Sequence, residues 1–335
     1  MTIRVGINGF GRIGRLAFRI AEQDPDIEVV AINNPSDLEC AAYLVKYDSC
    51  QGRVFDECRA EEGALIVDGH RIKAFQTRDP QELEWGEVGA DVVIESTGKL
   101  KDGTVAKAHL EKGAKKVVIT APGKNVDATI VMGVNQDVYD KDTMNIVSNA
   151  SCTTNCLAPF AKVLNDTFGI KRGFMNTIHS YTNDQKVLDV HHKDFRRSRA
   201  AALSQIPTTT GAAKAVALVI PELAGKLDGM ATRVPTPTGS MVDLTAELET
   251  PATAEEINAA MKAAAEGPMR GILEYCTDPI VSTDVIGNRA SSIYDSLLTK
   301  VLGGDRGDFV KCISWYDNEM GYSQRVIDLA KFLVA

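Results

Sequence analysis

The stretch Ile3-Arg4-Val5-Gly6-Ile7-Asn8-Gly9-Phe10-Gly11-Arg12-Ile13-Gly14-Arg15 decides the fold of the first half of this chain. Ile3 to Asn8 reads as an apolar strand and Arg12 to Asp24 as an amphipathic helix, with Gly9-x-Gly11-x-x-Gly14 at the junction. Each glycine has a job in a dinucleotide loop. Gly9 permits the tight turn, Gly11 lets backbone approach a pyrophosphate, and Gly14 allows the helix to close on the strand. The helix start supplies N–H groups and a positive dipole end. A bare glycine pattern is weak and is often only a turn. Here strand, turn and helix stand in the required order.

Working outward, Ile27 to Asn33 is a second strand. Asp91 to Ser96, Lys116 to Thr120 and Ile130 to Gly133 read as further strands, with a helix around Leu100 to Lys112. Apolar strands alternating with helices predict a doubly wound parallel sheet, the Rossmann arrangement. The second strand of such a fold commonly ends in an acid that holds the adenosine ribose. Here it ends in Asn33-Asn34-Pro35, and Asp37, past the proline, is expected to point away. Asn34 can bond a ribose hydroxyl, yet it lacks the charge that repels a 2′-phosphate. NAD is the expected cofactor, with NADP possible.

Character changes after Asn149. Cys152 to Thr167 reads as a helix that Pro159 would bend or interrupt. Gly173 to His179, Thr232 to Pro237 and Val242 to Leu248 read as strands, and Ala254 to Glu266 as a helix. Ser180 to Pro207 is polar, basic at Arg196, Arg197 and Arg199, and aperiodic, which predicts a long functional loop. The expected organisation is a nucleotide-binding domain over 1–150 and an α+β catalytic domain with a largely antiparallel sheet over 151–317. A C-terminal helix over 318–335 is expected to pack back on the first domain.

Length and composition set the outer bounds. The chain has 335 residues, 44% hydrophobic and 24% charged, enough for two domains with a large core. A net charge of −8 argues against nucleic acid or anionic lipid as the main partner. The first strand follows Met1-Thr2 without a basic-then-apolar stretch, so no secretory signal is expected, and no apolar run is long enough to span a membrane. Seven cysteines without scaffold spacing suggest reduced thiols and a cytoplasmic location. No metal site is expected, since there is no C-x-x-C and His191-His192 lacks partners at ligand spacing.

Chemistry concentrates in Ser151-Cys152-Thr153-Thr154-Asn155-Cys156. A free cysteine is most often an inert core residue, and that reading suits Cys40, Cys50, Cys58, Cys156, Cys276 and Cys312. Cys152 differs because it opens a helix, where the dipole lowers a thiol pKa. Among the five histidines, His70 and His109 sit in exposed-looking polar contexts, and His191 and His192 fall in the long loop. His179 ends an apolar strand before Ser180, Tyr181 and Thr182, which makes it the best base for Cys152. A nucleophilic sulfur joined to a dinucleotide site points to oxidation of an aldehyde through a thioester.

Several motifs then stand in one order: Asn8 to Arg15, Lys46-Tyr47-Asp48-Ser49, Glu95-Ser96-Thr97-Gly98, Ser151 to Cys156, His179 to Gln185, Thr210-Gly211-Ala212-Ala213-Lys214, Arg233-Val234-Pro235-Thr236-Pro237 and Trp315-Tyr316-Asp317-Asn318-Glu319. Along its whole length the chain resembles the phosphorylating glyceraldehyde-3-phosphate dehydrogenases. The resemblance implies Cys152 as nucleophile and His179 as base. It places Arg12, Ile13, Asn34, Arg78, Thr120 and Asn318 at cofactor-contacting positions. Ser151, Thr153, Thr182, Arg197, Thr210, Gly211 and Arg233 match positions that hold the substrate phosphate and the attacking inorganic phosphate. It further implies glycolytic or gluconeogenic oxidation of D-glyceraldehyde 3-phosphate, and a homotetramer with the loop near Ser180 to Gln205 at a subunit interface. Asn34 stands where NAD-specific bacterial members carry Asp, and His191 where they often carry Pro. Two alternatives stay open: an NADP-preferring or dual-specific enzyme, and the related erythrose-4-phosphate dehydrogenase.

Overall fold

The computed structural model describes residues 2–335. They divide into two compact units, 2–130 with 136–151 and 323–335, and 131–135 with 152–322.

The first unit runs β1 (Ile3–Asn8), α1 (Arg12–Ala21), β2 (Ile27–Asn33), α2 (Leu38–Lys46), β3 (Cys58–Glu61), β4 (Ala64–Val67), β5 (His70–Phe75), β6 (Val92–Glu95), α3 (Gly103–Glu111), β7 (Lys116–Ile119), β8 (Ala128–Thr129) and β9 (Ile146–Ser148). They form one sheet in the order β3-β4-β5-β2-β1-β6-β7-β9-β8. From β5 to β8 every pairing is parallel. Only β3, β4 and β5 pair antiparallel. Strands buried on both faces read as apolar runs, and Val92 to Glu95 and Lys116 to Ile119 are buried throughout. The order places β1 between β2 and β6, so the direction of winding reverses there. A crevice opens outside the carboxyl ends of strands at such a reversal.

Two expectations fail in this unit. Ile130 to Gly133 is not a strand; the chain turns there, and Ile146–Ser148 joins the sheet beside β7 instead. Sequence reading also passed over β3, β4 and β5: β3 and β5 are short and interrupted by charged residues, and β4 is an apolar run of only four residues.

The second unit contains α4 (Cys152–Phe168), β10 (Ile170–Ser180), β11 (Ile206–Thr209), α5 (Ala212–Val219), β12 (Leu227–Val234), β13 (Ser240–Ala252), α6 (Ala254–Glu266), β14 (Leu273–Cys276), β15 (Ser292–Asp295), β16 (Lys300–Leu302) and β17 (Gly307–Tyr316). The sheet order is β11-β12-β10-β13-β17-β15-β14, with β16 beside β17. Pairing is largely antiparallel, with β10–β12 and β14–β15 parallel. Helix α6 opens on a capping box between Thr253 and Glu256. Helix α4 does not break at Pro159. Leu157, Ala158, Pro159, Phe160 and Ala161 are all buried, and tertiary packing holds the helix against the roughly 3 kcal/mol that an interior proline costs. The last helix, α7 (Met320–Phe332), carries Lys331, which pairs with Asp24 at 2.8 Å and Asp26 at 3.0 Å. No helix among the described residues is long and apolar enough to cross a membrane.

Candidate active site

Cys152 is the first residue of α4, and His179 lies near the end of β10. Folding brings Cys152 Sγ to 3.4 Å from His179 Nε2. The opposite nitrogen, Nδ1, is 2.7 Å from the Ser180 carbonyl. That carbonyl can only accept, so Nδ1 carries the proton and Nε2 presents its lone pair to the thiol. Strand alternation puts Thr177 on the same face as His179. Tyr316 packs against both: its hydroxyl is 2.9 Å from Thr177 Oγ1, and its ring meets the His179 ring edge-on at 5.9 Å. The Tyr316 hydroxyl is also 2.9 Å from Thr153 Oγ1.

Arg233 reaches this pair through sheet register, because it sits opposite His179 in the parallel β10–β12 ladder. Its Nη1 donates to the Ser180 carbonyl at 2.9 Å and stands 3.0 Å from His179 Nδ1. Burial, and then the Arg233 charge, push His179 down to about 3, so the ring is neutral and able to take a proton. Burial also pushes the Cys152 thiol up, opposed by the Arg233 charge and by hydrogen bonds from Thr153 and backbone N–H groups. The lowering expected from the helix start is outweighed here, because the thiol is withdrawn from water. Cys156 is buried within reach of Ser292 and Ser314, and its thiol is pushed up to about 12.

The other anion-site candidates are placed as follows. Arg197 is held rigidly, with Nη1 on Asp184 at 2.6 Å and Nε on Thr208 Oγ1 at 2.8 Å. Thr210 accepts the Ala212 N–H at 3.2 Å, and Gly211 is the N-cap of α5, with open space where a side chain would stand. Thr182 is half-buried, and its carbonyl accepts the Gln185 N–H at 2.8 Å. Ser151 ends the first unit's share of this stretch and is half-buried. Sequence reasoning missed Tyr316 as a partner of this group and Ala150 as a strained position. Ala150 has φ +55°, a left-handed conformation that costs an L-residue roughly 1–2 kcal/mol.

The first unit holds a cleft of about 380 Å³ at the winding reversal. Asn8, Gly9 and Gly11 line it after β1, Asn33, Pro35 and Ser36 after β2, Ser96 and Thr97 after β6, and Arg78 lies on its wall. The glycines behave as their spacing requires. Gly9 has φ +93°, and a Cβ there would meet the Thr97 backbone nitrogen at 2.5 Å. A Cβ on Gly14 would meet the Gly9 carbonyl oxygen at 2.1 Å. Nothing lies within 4 Å of a Cβ on Gly11, the N-cap of α1, and no side chain caps that helix. Uncapped N–H groups beside open space fit a pyrophosphate.

The remaining cofactor candidates are placed as follows. Arg12 forms a two-point ion pair with Asp48, so its guanidinium is committed within the protein. Asn34 is not among the cleft-lining residues; its amide donates to the Ser36 and Asp37 carbonyls at 3.3 Å each. Asp37 points away, capping α2 through the Glu39 and Cys40 N–H groups. Ile13 follows Arg12 on α1, and Thr120 donates its N–H to the Glu95 carbonyl at 3.0 Å. Asn318 is buried in the second unit, accepting from Ser240 Oγ at 2.8 Å. His70 is exposed, as its context suggested, but His109 is fully buried, because α3 turns it inward against Trp85. Among the described residues no group of three or more His, Cys, Asp or Glu is arranged to hold a metal ion.

Residues 3–103 match the model of the glyceraldehyde 3-phosphate dehydrogenase NAD binding domain, and residues 151–318 match that of its C-terminal domain. The chain is 60% identical over 335 residues to glyceraldehyde-3-phosphate dehydrogenase of Geobacillus stearothermophilus, covering 100% of this chain and 99% of the relative. It is 57% identical to glyceraldehyde-3-phosphate dehydrogenase 1 of Bacillus subtilis (99% and 98% covered) and 56% identical to the Streptomyces coelicolor protein (99% and 99%). This chain belongs to the glyceraldehyde-3-phosphate dehydrogenase family.

Proposed function

We propose that this chain oxidises D-glyceraldehyde 3-phosphate with NAD and inorganic phosphate, giving 1,3-bisphosphoglycerate. The observation that carries this is the contact of 3.4 Å between Cys152 Sγ and a neutral His179 Nε2 whose other nitrogen is tied to Ser180. His179 Nε2 takes the thiol proton as sulfur adds to the aldehyde carbonyl, returns it to the oxyanion to give the thiohemiacetal hydroxyl, and takes that hydroxyl proton again as hydride departs. The glycine turn and the α1 start would hold NAD, which would supply the hydride acceptor for oxidation to the thioester level. The Cys152 N–H at the α4 start stabilises the developing oxyanion. Attack of phosphate on the thioester frees Cys152.

Ser151, Thr153, Thr182, Arg197, Thr210, Gly211 and Arg233 hold the two phosphates in this proposal, and Arg12, Ile13, Asn34, Arg78, Thr120 and Asn318 serve the cofactor. The rigid setting of Arg197 and the exposed N-cap at Gly211 support the first group. A homotetramer is supported by large apolar side chains exposed in the aperiodic segment after β10, among them Phe195 at 83% and Leu203 at 82%. Seven free cysteines support a cytoplasmic location. The test is initial-rate measurement of NAD and NADP reduction, with and without phosphate, on glyceraldehyde 3-phosphate and erythrose 4-phosphate. Sedimentation in solution tests the tetramer. Phosphate-independent turnover, or none, would refute the proposed activity.

A further inference from the structure

His109 is 0% exposed on α3, against Trp85, also 0% exposed. Trp85 itself fits only because residue 6 is glycine: a Cβ there would meet its ring at 2.6 Å. Trp85 Nε1–H donates to His109 Nδ1 at 3.0 Å. An indole nitrogen only donates, so Nδ1 is bare and Nε2 carries the ring proton. Nε2 then donates to Glu95 Oε2 at 3.0 Å. Asn8 Nδ2 donates to the same oxygen. Glu95 Oε1 accepts the Thr97 N–H at 2.8 Å and the Thr97 hydroxyl. Four donors thus converge on one buried carboxylate.

The network continues outward. Asn33 Nδ2 donates to Asn8 Oδ1 at 2.7 Å and to the Thr77 carbonyl at 3.0 Å, and Asn33 Oδ1 accepts the Thr77 N–H at 3.2 Å. Asn8, Asn33, Thr77 and Thr97 are all lining residues of the cleft at the winding reversal. Glu95 and His109 are not among them. A buried carboxylate is costly unless hydrogen-bonded at each lone pair, and the proposed reaction gives this one no chemical task.

We propose that the Trp85–His109–Glu95 chain is a positioning device for the cofactor cleft. His109 orients the Glu95 carboxylate, and Glu95 holds Asn8 and Thr97 in the geometry that receives the dinucleotide. The relay acts through those two residues and touches neither substrate nor Cys152. It rests on the assignment of the cleft to NAD.

The experiment compares full-length wild type with His109→Phe, His109→Gln and Glu95→Gln. Calorimetric Kd for NAD, KM for NAD, kcat at saturating NAD and the rate of Cys152 alkylation are read on each. His109→Phe deletes both the acceptor for Trp85 and the donor to Glu95. Glu95→Gln, nearly isosteric, leaves a buried amide facing donors. Both are expected to raise Kd and KM for NAD roughly tenfold, the effect of stranding one buried hydrogen-bonding group. The kcat value and the alkylation rate are expected to stay near wild type. His109→Gln, which can still accept and donate, is expected to recover most of the affinity. An unchanged Kd in Glu95→Gln overturns the proposal, whether or not His109→Phe folds. So does a fall in kcat and alkylation with Kd intact, which would mark a general structural role. Failure of the wild type to reduce NAD with phosphate would instead refute the activity, and the Kd comparison would still judge the relay.

Discussion

Arg233 Nη1 lies 3.0 Å from His179 Nδ1, a cation set against the ring that faces the Cys152 thiol. Parallel register makes this juxtaposition, since the two residues are direct partners on β12 and β10. Both burial and the guanidinium hold His179 neutral, with its pKa at about 3 against an ordinary 6.5.

That depression makes stability depend on pH. Between about 3 and 6.5 the unfolded chain protonates this histidine and the folded chain does not. The contribution is therefore fully present above 6.5 and is lost as pH falls, by about 1.4 kcal/mol per pH unit for this one group. Urea midpoints at pH 4.5, 5.5 and 6.5 are expected to rise in that order. Burial is the larger cause and survives Arg233→Met, so that variant should keep the same slope over most of the window, losing only its acid end. A steeper slope in the variant would contradict the assignment.

Removing the nucleophile should silence the chemistry without unfolding the protein. Cys152→Ser is expected to lose oxidation almost completely, since a hydroxyl at neutral pH is a far weaker nucleophile than a thiolate, while circular dichroism and the melting temperature stay near wild type. His179→Asn is expected to slow both alkylation of Cys152 and single-turnover hydride transfer, by roughly 10²–10⁴-fold if it is the general base. An alkylation rate equal to wild type would mean that the helix start alone activates the sulfur.

Gly11 and Gly14 separate cofactor access from folding. A Cβ on Gly11 meets nothing within 4 Å, so Gly11→Ala should fold with stability within about 0.5 kcal/mol of wild type yet bind NAD poorly. A Cβ on Gly14 would stand 2.1 Å from the Gly9 carbonyl oxygen, so Gly14→Ala should lose roughly 1–3 kcal/mol from overpacking as well as affinity. Chemical denaturation and NAD titration of both variants check this. Equal stability in the two would contradict the packing argument.

Asn34 is the residue proposed to face the adenosine ribose, and its amide donates to the Ser36 and Asp37 carbonyls. An aspartate has no N–H for those carbonyls and is repelled by them, which favours rotation toward the cleft. Asn34→Asp is expected to raise NAD use through ribose hydrogen bonds and depress NADP use by repulsion. A charge-assisted bond contributes roughly 1.5–3 kcal/mol, or about tenfold to a hundredfold in the ratio. The check is kcat/KM for both cofactors at fixed ionic strength. A ratio that does not fall would remove Asn34 from the ribose pocket.

Local pattern was enough for β1, the glycine turn and the start of α1, because strand alternation, turn chemistry and helix periodicity all act within a few residues. Ala254 to Glu266 was legible for the same reason, its capping box lying inside the window that a helix start needs. The identity of Cys152 and His179 as candidates was also readable from residue type and flanking pattern. Their contact was not: 27 residues separate them, and only the placement of β10 against α4 sets Sγ at 3.4 Å from Nε2. Arg233 and Tyr316 joined the site through register with strands far away in sequence. Tertiary packing also overrode local signals. It kept α4 continuous through Pro159, turned Ile130 to Gly133 away from the sheet, and buried His109, whose polar neighbours suggested exposure. In each case the deciding energy is burial and hydrogen bonding with distant partners, which no local window of sequence contains.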